Sequence, residues 1–124
     1  MSDYTKPVFV IGSGRCGTRT MFKMLSGIQD LEVYHEFACT HVQKLACLYY
    51  MGCIDKEAAK LELQKLHGSS IFYSSASIWL DASNKLSWLI EPLIEMYSNA
   101  RFLVLVRDGR KVVSSFFYKL AAEM

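Results

Sequence analysis

Short apolar runs alternate along this chain with longer stretches in which apolar side chains recur every three or four positions. The first pattern is typical of strands buried in a sheet, and the second of helices that present one apolar face. Strands are predicted at residues 7–11, 31–34, 77–81 and 102–106, and helices at residues 18–28, 39–51, 55–68, 83–98 and 112–122. Strands separated by helices predict an α/β fold, with a parallel β-sheet flanked by helices on both faces.

Several residues indicate where these elements begin and end. Asp55 precedes a strongly helix-forming stretch and is expected to cap it, and Gly68 is expected to end it. Pro92 must either start the regular part of its helix or kink it, because proline lacks the N–H that a helix interior needs. The last apolar run, FLVLV, predicts a strand buried on both faces.

A glycine-rich turn, GSGRCGTRT, follows the first predicted strand and leads into the first helix. Its three glycines allow a tight turn and a close approach of a ligand to the backbone, and the helix start offers unpaired N–H groups. Arg15 adds a fixed positive charge, and Thr18 and Thr20 add hydroxyls. This combination predicts a loop that holds a phosphate or sulfate group. The alternative is a turn in which the glycines serve only chain reversal.

The obvious comparison is the nucleotide-binding Walker A loop, G-x-x-x-x-G-K-S/T, because Gly12 and Gly17 have the spacing of its two glycines. Thr18 stands where that loop has its lysine, and Arg19 stands where it has the Ser or Thr that binds magnesium. The positive charge lies instead within the loop, at Arg15, whose guanidinium grips two oxygens of an anion and keeps its proton. These differences argue against hydrolysis of ATP or GTP.

A second charged loop, RDGR, follows the last predicted strand. In open parallel sheets, ligands bind in the crevice at the carboxyl ends of the strands. Arg107 is therefore expected at the same edge of the sheet as the glycine-rich turn, and Ser114 or Ser115 would add a hydroxyl about two helical turns further on. The alternative is an ordinary solvated loop between a strand and a helix.

Together the two loops resemble those of the sulfotransferases that use 3′-phosphoadenosine 5′-phosphosulfate (PAPS). In that family the first loop begins with lysine or arginine, followed by a small residue, glycine and threonine, and RCGTR at residues 15–19 is similar to it. The second loop reads roughly R-N/D-x-R/K-D/K-V-x-x-S, and RDGRKVVSS at residues 107–115 resembles it. The resemblance implies a P-loop NTPase-like sulfotransferase fold. It covers the N-terminal portion of such a domain, which is therefore expected to be incomplete at its C-terminus.

The resemblance also implies how the donor is held. The first loop would bind the 5′-phosphosulfate of PAPS and the second its 3′-phosphate, with no metal involved. The cofactor-binding residues that it implies are Gly14, Arg15, Cys16, Gly17, Thr18, Arg19, Thr20, Arg107 and Ser115.

Sulfuryl transfer needs charge stabilisation, alignment and a base for the proton of the acceptor. Arg15 is the candidate for stabilising the moving group, and His35 and Glu36, after the second predicted strand, are the candidates for the base. Sulfotransferases use either a histidine or a glutamate, and bacterial members that this chain resembles often have a glutamate here, so Glu36 comes first. The alternative for Glu36 is a capping or surface carboxylate. A polar segment after the third strand, residues 81–85, is expected at the same edge.

Composition limits the other classes of function. The chain has 124 residues, 52% of them hydrophobic, which suits a single domain over residues 1–124. A net charge of +2 gives no general case for binding nucleic acid or an acidic membrane. No apolar run approaches the roughly 20 residues that cross a bilayer, and the first six residues are polar rather than signal-like. The chain is therefore expected to be cytoplasmic, with its four cysteines reduced.

A metal site is the competing interpretation of the His, Cys and Glu side chains at residues 35–53. Their spacing matches neither a zincin helix nor paired zinc-binding cysteines, so Cys47 and Cys53 are interpreted as small core residues. The aromatic pairs at residues 49–50 and 72–73 either line an acceptor pocket or, as is more usual, belong to the core.

Three functions stay open at this point. The first is a PAPS-dependent sulfotransferase that acts on a hydroxyl or an amine. The second is a noncatalytic fragment that binds PAPS or adenosine 3′,5′-bisphosphate, and the third is a divergent P-loop phosphotransferase. The expected partner is a small-molecule nucleotide donor. The sequence identifies neither the acceptor nor the oligomeric state, and a homo-oligomer stays open.

Overall fold

A four-stranded parallel sheet is the centre of the computed structural model, which describes residues 5–123. The strands are β1 (Lys6–Ile11), β2 (Leu31–His35), β3 (Ile78–Ala82) and β4 (Arg101–Val104). The helices are α1 (Thr18–Leu25), α2 (Cys39–Tyr50), α3 (Lys56–Leu63), α4 (Ser69–Phe72), α5 (Ile90–Met96) and α6 (Gly109–Glu123). A π-helical turn (Gln64–Gly68) lies between α3 and α4, and a 3₁₀ helix (Asn84–Trp88) precedes α5.

The strands lie in the order β2-β3-β1-β4, and every pair is parallel. Val8 of β1 is in register with Leu80 of β3 on one side and with Arg101 of β4 on the other. The predicted α/β fold with a parallel sheet is confirmed. Because the strands run in one direction, their carboxyl ends meet at one edge of the sheet, where ligands bind in folds of this kind. The loops that follow β1 and β4 are neighbours there.

Side chains of β1 alternate between the two faces of the sheet. Val8 and Val10 pack with Leu80 against apolar residues of α1. Phe9 belongs to a larger core on the opposite face, together with Trp79 and apolar residues of α2, α3 and α5. Burial of one such large side chain contributes about 1.5–3 kcal/mol. This packing holds the carboxyl end of β1 firmly in the middle of the sheet.

The local signals around the helices have mixed outcomes. Asp55 caps α3 as predicted, with its Oδ1 accepting the Ala58 N–H at 2.8 Å, and Pro92 is tolerated in the first turn of α5. The prediction that Gly68 ends a helix is wrong, because the chain continues through the π-helical turn into α4. A Cβ at Gly68 would lie 2.3 Å from Gln64 Nε2, so the glycine makes room for that side chain.

Two burial predictions are also wrong, and the interpretation of the aromatic pairs as core residues holds only for Tyr49, which packs against the core. The apolar run FLVLV at residues 102–106 is not buried on both faces, since Val104 is 63% exposed. Within residues 5–123, β4 pairs only with β1, and α6 contributes no buried residue to cover it. Cys47 and Cys53 are exposed rather than part of the core. The aromatic residues Tyr50 and Tyr73 are likewise exposed. Within the described residues, no helix is long and apolar enough to cross a membrane.

Candidate functional site

The glycine loop, residues 12–17, has an unusual backbone. Gly14, Arg15 and Gly17 have positive φ values of 89°, 50° and 114°. Left-handed residues in a tight turn bring successive N–H groups together in a concave arrangement that attracts anions. In the described part of the chain, none of the N–H groups from Ser13 to Thr20 donates a hydrogen bond. The loop therefore offers a row of free donors at the N-terminus of α1.

Close packing fixes the base of the glycine loop. The Gly12 N–H donates to Ser87 Oγ at 3.1 Å, and the same hydroxyl donates to the Gly12 carbonyl at 2.9 Å. A Cβ at Gly12 would lie 2.4 Å from Sγ of the buried Cys16 and 3.0 Å from the Leu105 carbonyl oxygen. At Gly14 it would lie 2.7 Å from Asn84 Nδ2. The loop is thus wedged between the segments that follow β3 and β4.

We expect Gly12→Ala to lower the free energy of unfolding by about 1–3 kcal/mol, because the added methyl group overpacks this contact. Urea denaturation of the variant and the wild type measures the difference. Gly109→Ala is the matched control, since nothing lies within 4 Å of a Cβ built at Gly109. Equal unfolding free energies for the two variants would contradict the packing described here.

Two hydrogen bonds join the glycine loop to its neighbours, one to the arginine loop, residues 105–110, and one to the middle of α6. Arg107 Nη1 donates to the carbonyl oxygen of Arg15 at 2.8 Å. Arg15 Nε donates to Ser115 Oγ, also at 2.8 Å. The bond from Arg107 holds Arg15 in its left-handed conformation, which costs free energy for a residue with a side chain. The two predicted arginines are therefore neighbours at one edge of the sheet.

Between these loops lies a cleft of about 670 Å³, hereafter the anion cleft. It is lined by Arg15, Arg107, Asp108, Arg110, Lys111, Ser114, Ser115, Tyr118 and Lys119. Five of these side chains are cationic and one is a carboxylate, although the whole chain has a net charge of only +2. Asp108 is paired with Arg110 at 3.0 Å, and hydrogen bonds from that side chain and its backbone lower the pKa of Asp108. The unbalanced positive charge favours an anion.

A smaller cavity of about 430 Å³ lies on the other side of Arg107. Its lining is largely apolar, with Met21, Met24 and Leu105, and it also includes Thr20 and Cys16. The two cavities share Arg107, so that a charged region and an apolar region lie side by side.

The candidate bases lie at the end of β2. Glu36 Oε1 lies 3.1 Å from Lys85 Nζ, and Cys39 Sγ is 3.7 Å from the other oxygen. Partial burial of Glu36 acts to raise its pKa. The hydrogen bond from Lys85 and the charge of Lys85 act in the opposite direction, with smaller effects of His35 and Cys39, and the net result is a lowered pKa of Glu36. The ion pair therefore favours the ionised form of Glu36.

His35 has a different environment. Its ring packs on Phe22 of α1, with ring centroids 5.8 Å apart. In the described part of the chain neither His35 nor Glu36 lines the anion cleft. The segment after β3 lies between them and the glycine loop, because Asn84 packs on Gly14 while Lys85 pairs with Glu36.

The remaining predicted residues are divided between these regions. Arg15, Arg107 and Ser115 come together at the anion cleft, and Cys16, Gly17 and Thr20 at the smaller cavity, whereas Gly14 is buried beside Asn84. Thr18 is buried in the first turn of α1, and Arg19 is exposed and lines neither cavity. Sequence reasoning missed Tyr118 and Lys119. Their spacing of three and four residues from Ser115 on a helix was the available signal. Within residues 5–123, no group of three or more His, Cys, Asp or Glu side chains is placed to hold a metal ion.

Comparison with known proteins places this arrangement in a family. Neither the curated proteins nor the solved structures gave a match. The model of the sulfotransferase domain family matches residues 7–122, which include β1, the glycine loop, Glu36 and the arginine loop. The match covers most of the 124 residues, so this chain belongs to the sulfotransferase domain family.

Proposed function

We propose that this chain binds PAPS and transfers its sulfuryl group to a hydroxyl or amine acceptor. The observation that carries the proposal is the hydrogen bond between the arginine loop and the glycine loop. Arg107 donates to the Arg15 carbonyl beside the anion cleft, which is rich in positive charge. PAPS has anionic groups at both ends of its ribose. A single cleft with cations from two strand ends is suited to such a ligand.

Each region of the site has a part in this proposal. The free N–H groups of the glycine loop and the Arg15 guanidinium would bind the 5′-phosphosulfate. Arg107 and Ser115, with Lys111 nearby, would bind the 3′-phosphate. The smaller cavity beside Arg107 is suited to the flat adenine ring, which would contact Met21, Met24 and Leu105 there. Its position next to the charged cleft matches the short distance between base and phosphates in a nucleotide.

The chemical step is an in-line displacement at sulfur. The acceptor oxygen or nitrogen forms a bond to sulfur while the bond from sulfur to the 5′-phosphate oxygen breaks. Arg15 and the loop N–H groups would stabilise the negative charge that develops on that oxygen. Glu36 would take the proton of the acceptor, and Lys85 keeps Glu36 ionised for this role. An ion-paired carboxylate is a weaker base, so positioning must carry much of the rate enhancement.

We expect Arg15→Ala to weaken the binding of adenosine 3′,5′-bisphosphate by about 10- to 100-fold, the loss of one or two charge-assisted hydrogen bonds. Isothermal titration calorimetry measures the dissociation constant. Arg101→Ala is the matched control, because Arg101 begins β4 at the opposite edge of the sheet and its guanidinium donates only to the carbonyl of its neighbour Ala100 in the described chain. Equal affinities for wild type and Arg15→Ala would contradict the proposal.

The alternatives have distinct outcomes in the same experiments. Incubation with PAPS and mixtures of acceptors tests for sulfated product. Binding of adenosine 3′,5′-bisphosphate without any transfer would indicate a noncatalytic nucleotide-binding protein. Tight magnesium-dependent binding of ATP would indicate a divergent phosphotransferase, although the loop lacks the lysine and the metal-binding hydroxyl of a Walker A sequence.

A further inference from the structure

A histidine and an aspartate face each other in the core, away from both cavities. His67 comes from the π-helical turn and Asp81 from β3, and both side chains are fully buried. His67 Nε2 lies 3.5 Å from Asp81 Oδ2. Within the described residues, neither that oxygen nor either ring nitrogen of His67 has a hydrogen-bond partner. Short π-helical turns occur often at functional sites.

Asp81 connects this pair to the turn that carries Glu36. Its second oxygen, Oδ1, accepts the backbone N–H of Phe37 at 3.2 Å. The Phe37 ring packs on the His67 ring with centroids 5.1 Å apart, and Trp79 contacts both rings. One carboxylate thus links the histidine to the residue that follows Glu36.

The turn needs such support because its backbone is strained. Glu36 and Ala38, on either side of Phe37, have positive φ values of 53° and 52°. Residues with side chains keep this conformation only where the surrounding structure enforces it. Two hydrogen bonds do so here, from the Glu36 N–H to the Ala82 carbonyl at 3.0 Å and from the Phe37 N–H to Asp81.

The Asp81 carboxyl group lies in a buried and largely aromatic environment. A fully buried carboxylate is strongly disfavoured unless a charge or hydrogen-bond donors compensate for lost hydration. The side chains packed around the pair are the aromatic rings of Phe37 and Trp79. In the described chain, the Phe37 N–H is the one hydrogen-bond donor to the Asp81 side chain, and His67 Nε2 lies 3.5 Å from its other oxygen.

We infer that Asp81 is a positioning residue: by accepting the Phe37 N–H it fixes the strained turn and thereby sets the Glu36 carboxylate against Lys85. The inference rests on the proposed role of Glu36 in sulfuryl transfer. It assigns a use to the buried Asp81, which touches neither cavity and which neither loop motif includes.

Removal of the Asp81 carboxylate tests the inference. In Asp81→Ala the turn loses its acceptor, and we expect the pKa of Glu36, followed by carboxyl NMR titration, to rise toward its ordinary value as the contact with Lys85 loosens. The kcat for sulfuryl transfer should fall by about 10- to 100-fold, the cost of a misplaced catalytic group. The dissociation constant of adenosine 3′,5′-bisphosphate should stay at the wild-type value. Asp81→Asn keeps an oxygen for the Phe37 N–H and should restore both the pKa and the rate.

Two further variants separate positioning from general damage to the core. Ile71→Val removes one methyl group from the same core cluster and should leave the pKa of Glu36 unchanged. The double variant Asp81→Leu with His67→Leu removes both buried polar groups, which favours folding if Asp81→Ala does not fold, and it should also raise the pKa of Glu36. An unchanged pKa of Glu36 in Asp81→Ala and in the double variant, which both lack an acceptor for the Phe37 N–H, would overturn the inference. Absence of transfer in the wild type would instead overturn the proposed function, because the titration does not depend on activity.

Discussion

Glu36→Gln is expected to slow sulfuryl transfer from PAPS by about 100- to 10,000-fold, the usual contribution of a general base. Glutamine keeps the shape of the side chain but cannot take the proton of the acceptor. Steady-state kinetics at saturating PAPS measure the loss in kcat. The affinity for adenosine 3′,5′-bisphosphate should not change, because Glu36 lies outside the cleft that is proposed to hold the nucleotide.

The pH dependence of the rate tests the same assignment. A base works only when deprotonated, so the rate falls as the pH drops through its pKa. Since Lys85 lowers the pKa of Glu36 below its ordinary value, the acid limb of the wild-type profile should lie below the usual range for a glutamate. His35→Gln is the matched control. If that variant loses the rate while Glu36→Gln keeps it, His35 is the base and the assignment of Glu36 is wrong.

Arg107→Ala is expected to weaken the binding of adenosine 3′,5′-bisphosphate by about 100- to 1,000-fold, more than the loss of Arg15. The variant would lose the proposed contact with the 3′-phosphate and also the hydrogen bond from Arg107 to the Arg15 carbonyl. Without that bond the left-handed Arg15 is free to relax, and the glycine loop loses part of its shape. Calorimetry with the bisphosphate measures the change.

Arg107→Lys distinguishes the two losses. Lysine keeps the positive charge but has a single nitrogen in place of a planar fork, so it is not expected to bind phosphate and the Arg15 carbonyl in the same geometry. We expect an affinity between those of the wild type and Arg107→Ala. Full affinity in the lysine variant would show that charge alone matters and that the loop-to-loop hydrogen bond does not.

The glycine loop and the arginine loop were predictable because local sequence determines them. An apolar run that ends in glycines or charges marks a strand end, whatever the rest of the chain does. The bond between Arg107 and Arg15, however, joins residues 92 positions apart. It depends on β1 and β4 being neighbours, and the order of strands in a sheet is not written in any one segment.

The pairing and burial that sequence reasoning did not predict also depend on which elements are neighbours. Lys85 meets Glu36 only because β3 lies beside β2. The burial of Val104 was overestimated because an apolar run does not reveal how many neighbours its strand has. Glycine often ends a helix, but at position 68 it instead leaves room for the Gln64 side chain. The local sequence pattern predicts helices and strands, whereas the elements packed beside them determine which side chains are exposed and which are paired.

Since α6 buries none of its side chains in the described chain, the groups that it contributes to the cleft depend on few contacts for their placement. A nucleotide that bridges both strand ends would therefore act as a clamp on this helix. Part of the binding free energy of the nucleotide would then offset the cost of ordering α6. The measured affinity would therefore depend on the stability of this helix as well as on the contacts with the ligand. Substitutions along α6 that never touch the ligand would then alter affinity through the stability of the helix alone.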